Sequence, residues 1–250
     1  MSRLETFLHT IKTEFPDDRL TYQKRLPTFH PESADEAARL FKMAVSDGQR
    51  LYITGFGNNI DPVGERFRDL VIVRTDRLND IQEISEADLY VRVGAGYPLR
   101  ELPVELGPRK LFMPHASLPY VGSSGGAVAV NLTAELDSHN LPIKKYFIQS
   151  EVVTPLGEIV RPGSVCFKSV SGYDIVKIFA SSWGLLGLII SVTFRVMPES
   201  AAGEFAALKM KPVDRRHFLS GLDHANSDTD AVYSLKIKAK FDPHGILPIV

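Results

Sequence analysis

The chain has little cysteine, no long apolar run and no excess of charge of either sign, and each shortage removes a class of function. One cysteine, Cys166, in 250 residues excludes an internal disulfide and, within this chain, a cysteine-ligated iron–sulfur cluster or zinc knuckle. The seven histidines are scattered without the i,i+4 pairing of a helical metal site, so no metal is expected. No apolar stretch approaches the ~20 residues that cross a bilayer. The opening MSRLETFLHTIKTEF lacks the apolar core of a signal peptide, which makes the expected location cytoplasmic. With 29 basic and 30 acidic residues well mixed, net −1, nothing favours nucleic acid or an anionic membrane as partner.

The patterns that are present alternate between helix and strand. Leu4, Phe7, Leu8 and Ile11 form an i, i+3, i+4, i+7 stripe, predicting an amphipathic helix that a polar connector follows to about residue 25. Residues 27–30 read as a short strand. Ser33 and Glu36 then form a capping box before Ala37, Leu40, Phe41, Ala44 and Val45 at helical spacing, and Asp47–Gly48 stops the helix. Residues 50–54 are a strand, completing a βαβ unit. Strands are further expected at 69–73 and 89–93, a helix at 98–106, a polar segment at 133–145 and a strand at 146–153 whose return lies at 158–160. A short helix at 171–180 and a half-buried strand at 188–196 follow, the strand alternating Leu188, Ile190, Val192, Phe194 and Val196 with their neighbours. The last fifty residues suggest a strand at 205–210, a helix at 213–222 and a strand at 232–237.

The stretch FMPHASLPYVGSSGGAVAVN, residues 112–131, is the centre of the chain. Ser123, Ser124, Gly125, Gly126, Ala127 and Ala129 carry little or no side chain, so backbone amides there can approach a ligand closely. The turn after the βαβ unit, Gly55, Phe56, Gly57, Asn58, Asn59 and Ile60, reads either as a surface turn or as an anion-holding nest of amides. A glycine pair, Gly94 and Gly96, ends the strand at 89–93, but Leu99 stands where a dinucleotide fingerprint needs its third glycine, so that fingerprint is rejected.

In this order the motifs resemble the flavin-binding domain of the FAD-linked oxidases of the vanillyl-alcohol oxidase/PCMH type. They are the glycine turn at 55–60, V-x-V-G-A-G at 91–96, P-x-A-S with S-x-G-G-x-x-A-x-N at 114–131, E-V-V-x-x-x-G-E-I-V at 151–160 and G-Y-D-I-x-K-I-F with G-x-L-G-x-I at 172–189. Residues 241–247 are similar to the family's C-terminal signature.

The resemblance implies an α+β fold of two lobes with FAD between them: residues 1–75 as one lobe, 76–200 as the second, and 201–250 as a reduced remnant of a cap or substrate domain that is otherwise largely absent. It implies that the amides of Gly55, Phe56, Gly57, Asn58 and Asn59 hold the pyrophosphate, helped by Ser123 and the pair Gly125 and Gly126, with Ile60, Val121, Gly122 and Ala129 also at the cofactor. The isoalloxazine ring is then expected near Pro114, His115, Ala116 and Ser117, and the adenine near Gly184, Gly187 and Ile189. The turn lacks the histidine that some members link to FAD, so the flavin is expected to be non-covalent. Where the family carries G-S-E-G-T-L-G, this chain has Ser181, Ser182, Trp183, Gly184, Leu185, Leu186 and Gly187.

FAD itself supplies the redox chemistry and the protein binds, orients and provides a base. His115 is the polar candidate for that base, although a lone histidine is more often structural. Cys166 beside Lys168 reads as packing, Trp183 and Tyr173 as core or flavin-edge packing, and Lys144 with Lys145 as a solvated pair. The implied activity is oxidation of a small 2-hydroxy acid such as glycolate or lactate. The implied role is that of the small FAD-binding subunit of a glycolate oxidase complex, whose partners are a larger flavin subunit and an iron–sulfur subunit. A non-catalytic flavin- or nucleotide-binding module that regulates a partner is the alternative. A third reading, UDP-N-acetylenolpyruvoylglucosamine reductase, shares the G-x-G-x-N turn but needs a substrate domain that no segment here matches.

Overall fold

A computed structural model of the chain describes residues 2–60, 62–165, 175–213 and 229–249. Helix α1 (Arg3–Glu14) forms where its apolar stripe predicts. Ser2 and Glu5 close a reciprocal capping box at its start, and Phe7 and Ile11 are buried. The expected polar connector is instead half of a hairpin. β1 (Leu20–Gln23) pairs antiparallel with β2 (Leu26–Phe29) through a turn at Lys24 and Arg25, both left-handed at φ 50 and 69. Helix α2 (Ala34–Asp47) follows, and Gly48 at φ 64 supplies the left-handed stop. Only half of its capping box forms: Ser33 accepts from the Glu36 amide, but the Glu36 carboxylate turns to the Glu32 amide (2.8 Å) and the Arg19 Nε (3.0 Å).

Strands β3 (Leu51–Thr54) and β4 (Val71–Arg74) complete a first sheet ordered β1-β2-β4-β3, in which β2, β4 and β3 run parallel. Helices α1 and α2 bury Phe7, Ile11, Leu40 and Phe41 against Phe29, Val71 and Val73 of this sheet.

The second lobe is antiparallel. β5 (Ile81–Ser85), β6 (Tyr90–Gly94), β10 (Phe147–Val153), β11 (Ile159–Val160) and β12 (Leu188–Arg195) form a sheet ordered β11-β10-β12-β6-β5. Between β6 and β10 lie α3 (Leu102–Leu106), β7 (Leu111–Phe112), α4 (Ser124–Ala129), β8 (Thr133–Leu136) and β9 (His139–Pro142); β13 (Met197–Pro198), β14 (Lys209–Met210) and α5 (Thr229–Phe241) follow β12. Strand β12 is buried on both faces rather than half-buried. Leu188 and Ile190 join the core of the first lobe, whereas Ile189, Val192 and Phe194 join that of the second.

Three further expectations are corrected. The polar segment at 133–145 contains the hairpin β8–β9, turned by Asp137 and Ser138 at φ 47 and 66. Residues 232–237 lie in helix α5, not in a strand. The expected strand at 205–210 is reduced to β14, paired with β8. Of the short helix expected at 171–180, Ile175–Phe179 is a 3-10 helix and the residues before it lie outside the described residues, as does the helix expected at 213–222.

The chain passes from the first lobe to the second through residues 75–80, which cross the end of β6. The Gly96 amide donates to the Leu78 carbonyl (2.7 Å) and the Gly94 amide to that of Asp80 (2.9 Å). A Cβ at Gly96 would lie 1.9 Å from the Thr75 oxygen, and one at Gly94 would lie 2.2 Å from the Leu78 oxygen. The G-A-G motif therefore exists to let two backbones cross.

The tail returns to the first lobe. The Leu51 amide donates to the Ile246 carbonyl (2.7 Å), and Ile246 and Leu247 are buried in the first core. Asp242 directs this return: its buried carboxylate accepts from the Ile246 amide (3.0 Å), the Leu247 amide (2.9 Å) and the Lys238 ammonium. No helix among the described residues is long and apolar enough to cross a membrane.

Candidate functional site

A cleft with about 690 Å³ of empty space opens where the C-terminal end of β3, the start of α4 and the N-terminal end of β12 converge. Its first wall is the turn Gly55, Phe56, Gly57, Asn58, Asn59 and Ile60. Gly122, Ser123, Gly125, Gly126 and Ala129 form a second wall, and Gly184, Gly187 and Ile189 a third. Three separate sequence motifs thus meet at one place.

The turn is held by side chains. Asn58 Nδ2 donates to the Val121 carbonyl (3.1 Å), Asn59 Nδ2 to the Tyr120 hydroxyl (3.3 Å), and Arg74 Nη2 to the Phe56 carbonyl (3.4 Å) from behind. Gly57 at φ 81 supplies the left-handed step. The backbone amides are left over: among the described residues, none of those from residues 55–60 has an acceptor. Converging N–H groups without acceptors form a nest that attracts an anion. Burial raises the pKa of Tyr120, against the Asn59 bond, so its hydroxyl stays protonated at neutral pH.

The glycines of the second wall act differently from the expectation. The Gly125 amide is already given to the Ala95 carbonyl (2.9 Å) and the Gly126 amide to Ser123 Oγ (3.1 Å). A Cβ at Gly125 would lie 2.7 Å from that of Ala95, so this glycine seats α4 on the end of β6. Gly55 is constrained across the cleft, where a Cβ would stand 2.6 Å from Ser123 Oγ.

Sequence reasoning left out several lining residues: Tyr52, Ile53, Thr54, Thr75, Ala95, Tyr120, Val130 and Leu188; Trp183, expected as core or flavin-edge packing, lines the cleft. Gly122 carried the signal for Tyr120, since a Cβ there would sit 2.3 Å from the phenol oxygen.

The structure places Pro114, His115, Ala116 and Ser117 in a 3-10 helix outside this cleft. Val121 lies outside its lining too and contributes only its carbonyl to Asn58. Ser117 is exposed and donates to the Pro114 carbonyl (2.7 Å). His115 is wholly buried, edge-on to Tyr146 at 5.3 Å, and its Nε2–H donates to the Leu141 carbonyl (2.8 Å). Its Nδ1 has no partner among the described residues. Lys144 and Lys145 are exposed; Cys166, Lys168 and Tyr173 lie outside the described residues.

Burial pushes the His115 pKa down from 6.5 to about 4, the Leu141 bond opposing it. The unfolded ring binds a proton at the ordinary value and the folded ring only near 4, so the unfolded chain takes up more protons in between. The neutral ring's contribution is complete above about 6.5 and is lost as pH falls towards 4, a loss of about 3 kcal/mol. Urea unfolding at pH 7.5 and 4.5 should show this drop, and His115→Gln should flatten it.

With this geometry in hand, the relatives are informative. Residues 27–163 match the model of the family described as FAD binding domain, and the chain belongs to that family. An uncharacterized FAD-linked oxidoreductase of Mycobacterium tuberculosis is 26% identical over 190 residues, covering 73% of this chain and 40% of that protein. A glycolate oxidase subunit of Bacillus subtilis is 25% identical over 170 residues, covering 68% of this chain and 36% of the subunit. An alkyldihydroxyacetonephosphate synthase superposes with a TM-score of 0.62 at 19% identity, over 78% of this chain and 40% of that one, which fixes the fold as the two-lobed PCMH type. The chain therefore spans about two fifths of the length of these relatives. FAD is its cofactor, in a family of FAD-linked oxidoreductases.

The lining fits such a group. FAD carries two phosphates, and among the described residues the cleft offers backbone amides and no charged side chain.

Proposed function

We propose that the cleft holds FAD non-covalently and that the chain is the flavin-binding part of an oxidoreductase acting on a small 2-hydroxy acid such as glycolate or lactate. In this reading the amides of residues 55–60 receive the pyrophosphate, Gly122 and Ser123 border it, and Gly184, Gly187 and Ile189 face the adenosine half. When bound, FAD accepts the hydride from the CH–OH carbon. The chain's residues orient it and exclude water from the phosphates. Among the described residues the lining has no histidine, which supports a non-covalent flavin.

One observation carries the subunit role: among the described residues the lining contains no carboxylate, histidine or lysine. Oxidation of an alcohol needs a base within hydrogen-bond reach of the hydroxyl proton. A cleft without one points to a base supplied from elsewhere, by a partner subunit or by the segment that the longer relatives carry. The relative named as a subunit of glycolate oxidase supports partner subunits, and the proposal takes these to be a larger flavin subunit and an iron–sulfur subunit, with the cytoplasm as the location. The same observation favours a second reading, a flavin-holding module that performs no chemistry of its own.

Two measurements test these readings. An absorption spectrum of the purified chain should show flavin, released into the supernatant by acid precipitation. A colourless protein that does not take up added FAD defeats the cofactor assignment. Glycolate or lactate should bleach the flavin only after the partner subunits are added; bleaching of the isolated chain overturns the subunit role, and no bleaching in the full complex leaves the non-catalytic module.

A further inference from the structure

Trp183 is the only tryptophan in the chain and it lines the cleft. It stands where the resembling family has a polar residue, and its backbone is held unusually. Ser181, Trp183 and Gly184 are all left-handed, at φ 68, 51 and 78. A bulky residue occupies that region only where its surroundings over-determine it. Here the Ser181 amide donates to the Val128 carbonyl (3.3 Å) and the Trp183 amide to the Ala129 carbonyl (3.0 Å), at the C-terminal end of α4. Gly184 presses against β3, with its Cβ position 3.1 Å from Ile53 Cβ. Trp183 shares the lining of the cleft with Ile53, Ala129, Val130 and the buried Leu188 and Ile189.

An indole lining a cleft among aliphatic side chains is a platform for a flat, uncharged aromatic ring. FAD has such a ring at each end. The isoalloxazine must meet a substrate and so needs open access, whereas the backbone at Trp183 and Gly184 is pinned to the end of α4 and to β3. The adenine has no such requirement.

We infer that the Trp183 indole stacks on the adenine ring of the bound cofactor and sets the preference of this chain for FAD over FMN. The inference rests on the reading that the cleft holds FAD, and the two fail differently. The chain freed of flavin is titrated with ADP, FAD and FMN, following tryptophan emission and flavin absorbance. ADP has no flavin to absorb the emitted light, so a saturable change in emission on adding ADP reports contact with Trp183 itself. Trp183→Ala should weaken FAD and ADP about 5- to 100-fold, the range that loss of one base–aromatic stack produces. Trp183→Phe should keep most of the affinity, and FMN binding should be the same in all three proteins. Calorimetry gives the affinities of the alanine variant, which has no tryptophan to report. If FAD binds but ADP leaves the emission unchanged, or if the phenylalanine variant binds FAD and FMN equally weakly, the stacking role is wrong while the cofactor site stands. If FAD does not bind at all, both fall. Should the alanine variant not fold, the ADP titration and the phenylalanine variant decide.

Discussion

Gly96→Ala is expected to cost about 3 kcal/mol of stability or more, and to leave little soluble protein. The new methyl would stand 1.9 Å from the Thr75 carbonyl oxygen, 2.8 Å from its carbon and 3.0 Å from the Asp76 Cα. All three are backbone atoms, so no side chain can swing aside to relieve the overlap. The strand end and the crossing chain must separate, breaking the bond from the Gly96 amide to Leu78. Thr75 and Ala95 both line the cleft, so cofactor binding should fail together with stability. Gly203→Ala is the control: nothing lies within 4 Å of its Cβ position, and it should be within about 0.5 kcal/mol of the parent. Soluble yield and urea unfolding of the two variants measure the contrast.

Asp242→Ala should be the next most damaging change, at about 3 kcal/mol. Its carboxylate is the acceptor for two buried amides and the counter-ion of Lys238. Truncation leaves those donors without an acceptor and the ammonium without its partner. Asp242→Asn keeps an acceptor oxygen but not the charge, and should cost less. Because the tail carries Ile246 and Leu247 into the first core, proteolysis in the alanine variant should begin at the C-terminus while the parent resists.

The fold could be read wherever a buried stripe or an end signal was written in side chains. Ser33 and Gly48 mark the ends of α2 as the structure has them, whereas the box of Ser2 and Glu5 before α1 went unread. Strand β1 was invisible because it is a polar edge strand: Tyr22 is exposed, and its pairing depends on a turn of lysine and arginine rather than glycine. The β8–β9 hairpin hid for the same reason, its turn being Asp137 and Ser138. Helix α5 was taken for a strand because its half-buried stripe, Val232, Leu235, Lys238 and Phe241, includes a lysine whose charge serves Asp242. Without that position the apolar residues look alternating.

At the cleft, glycines were legible as places of close approach, but not what approaches. Gly55 faces a serine hydroxyl, Gly96 a crossing carbonyl and Gly125 the end of a neighbouring strand. The position of His115 was not legible, since nothing local in the sequence says that Leu141 and Tyr146 enclose it.

Strand β12 contributes alternate stretches of one backbone to both cores, with Leu188 and Ile190 on one side and Ile189, Val192 and Phe194 on the other. Two bodies welded along a common beam cannot open like a clamshell, because rotation of either one would pull β12 out of the other. A flavin held as proposed would therefore enter and leave by bending the rim, where, among the described residues, Asn58, Asn59 and Arg74 tether the turn at residues 55–60. On the proposed reading, weakening those three hydrogen bonds, rather than loosening the lobes, should speed flavin exchange.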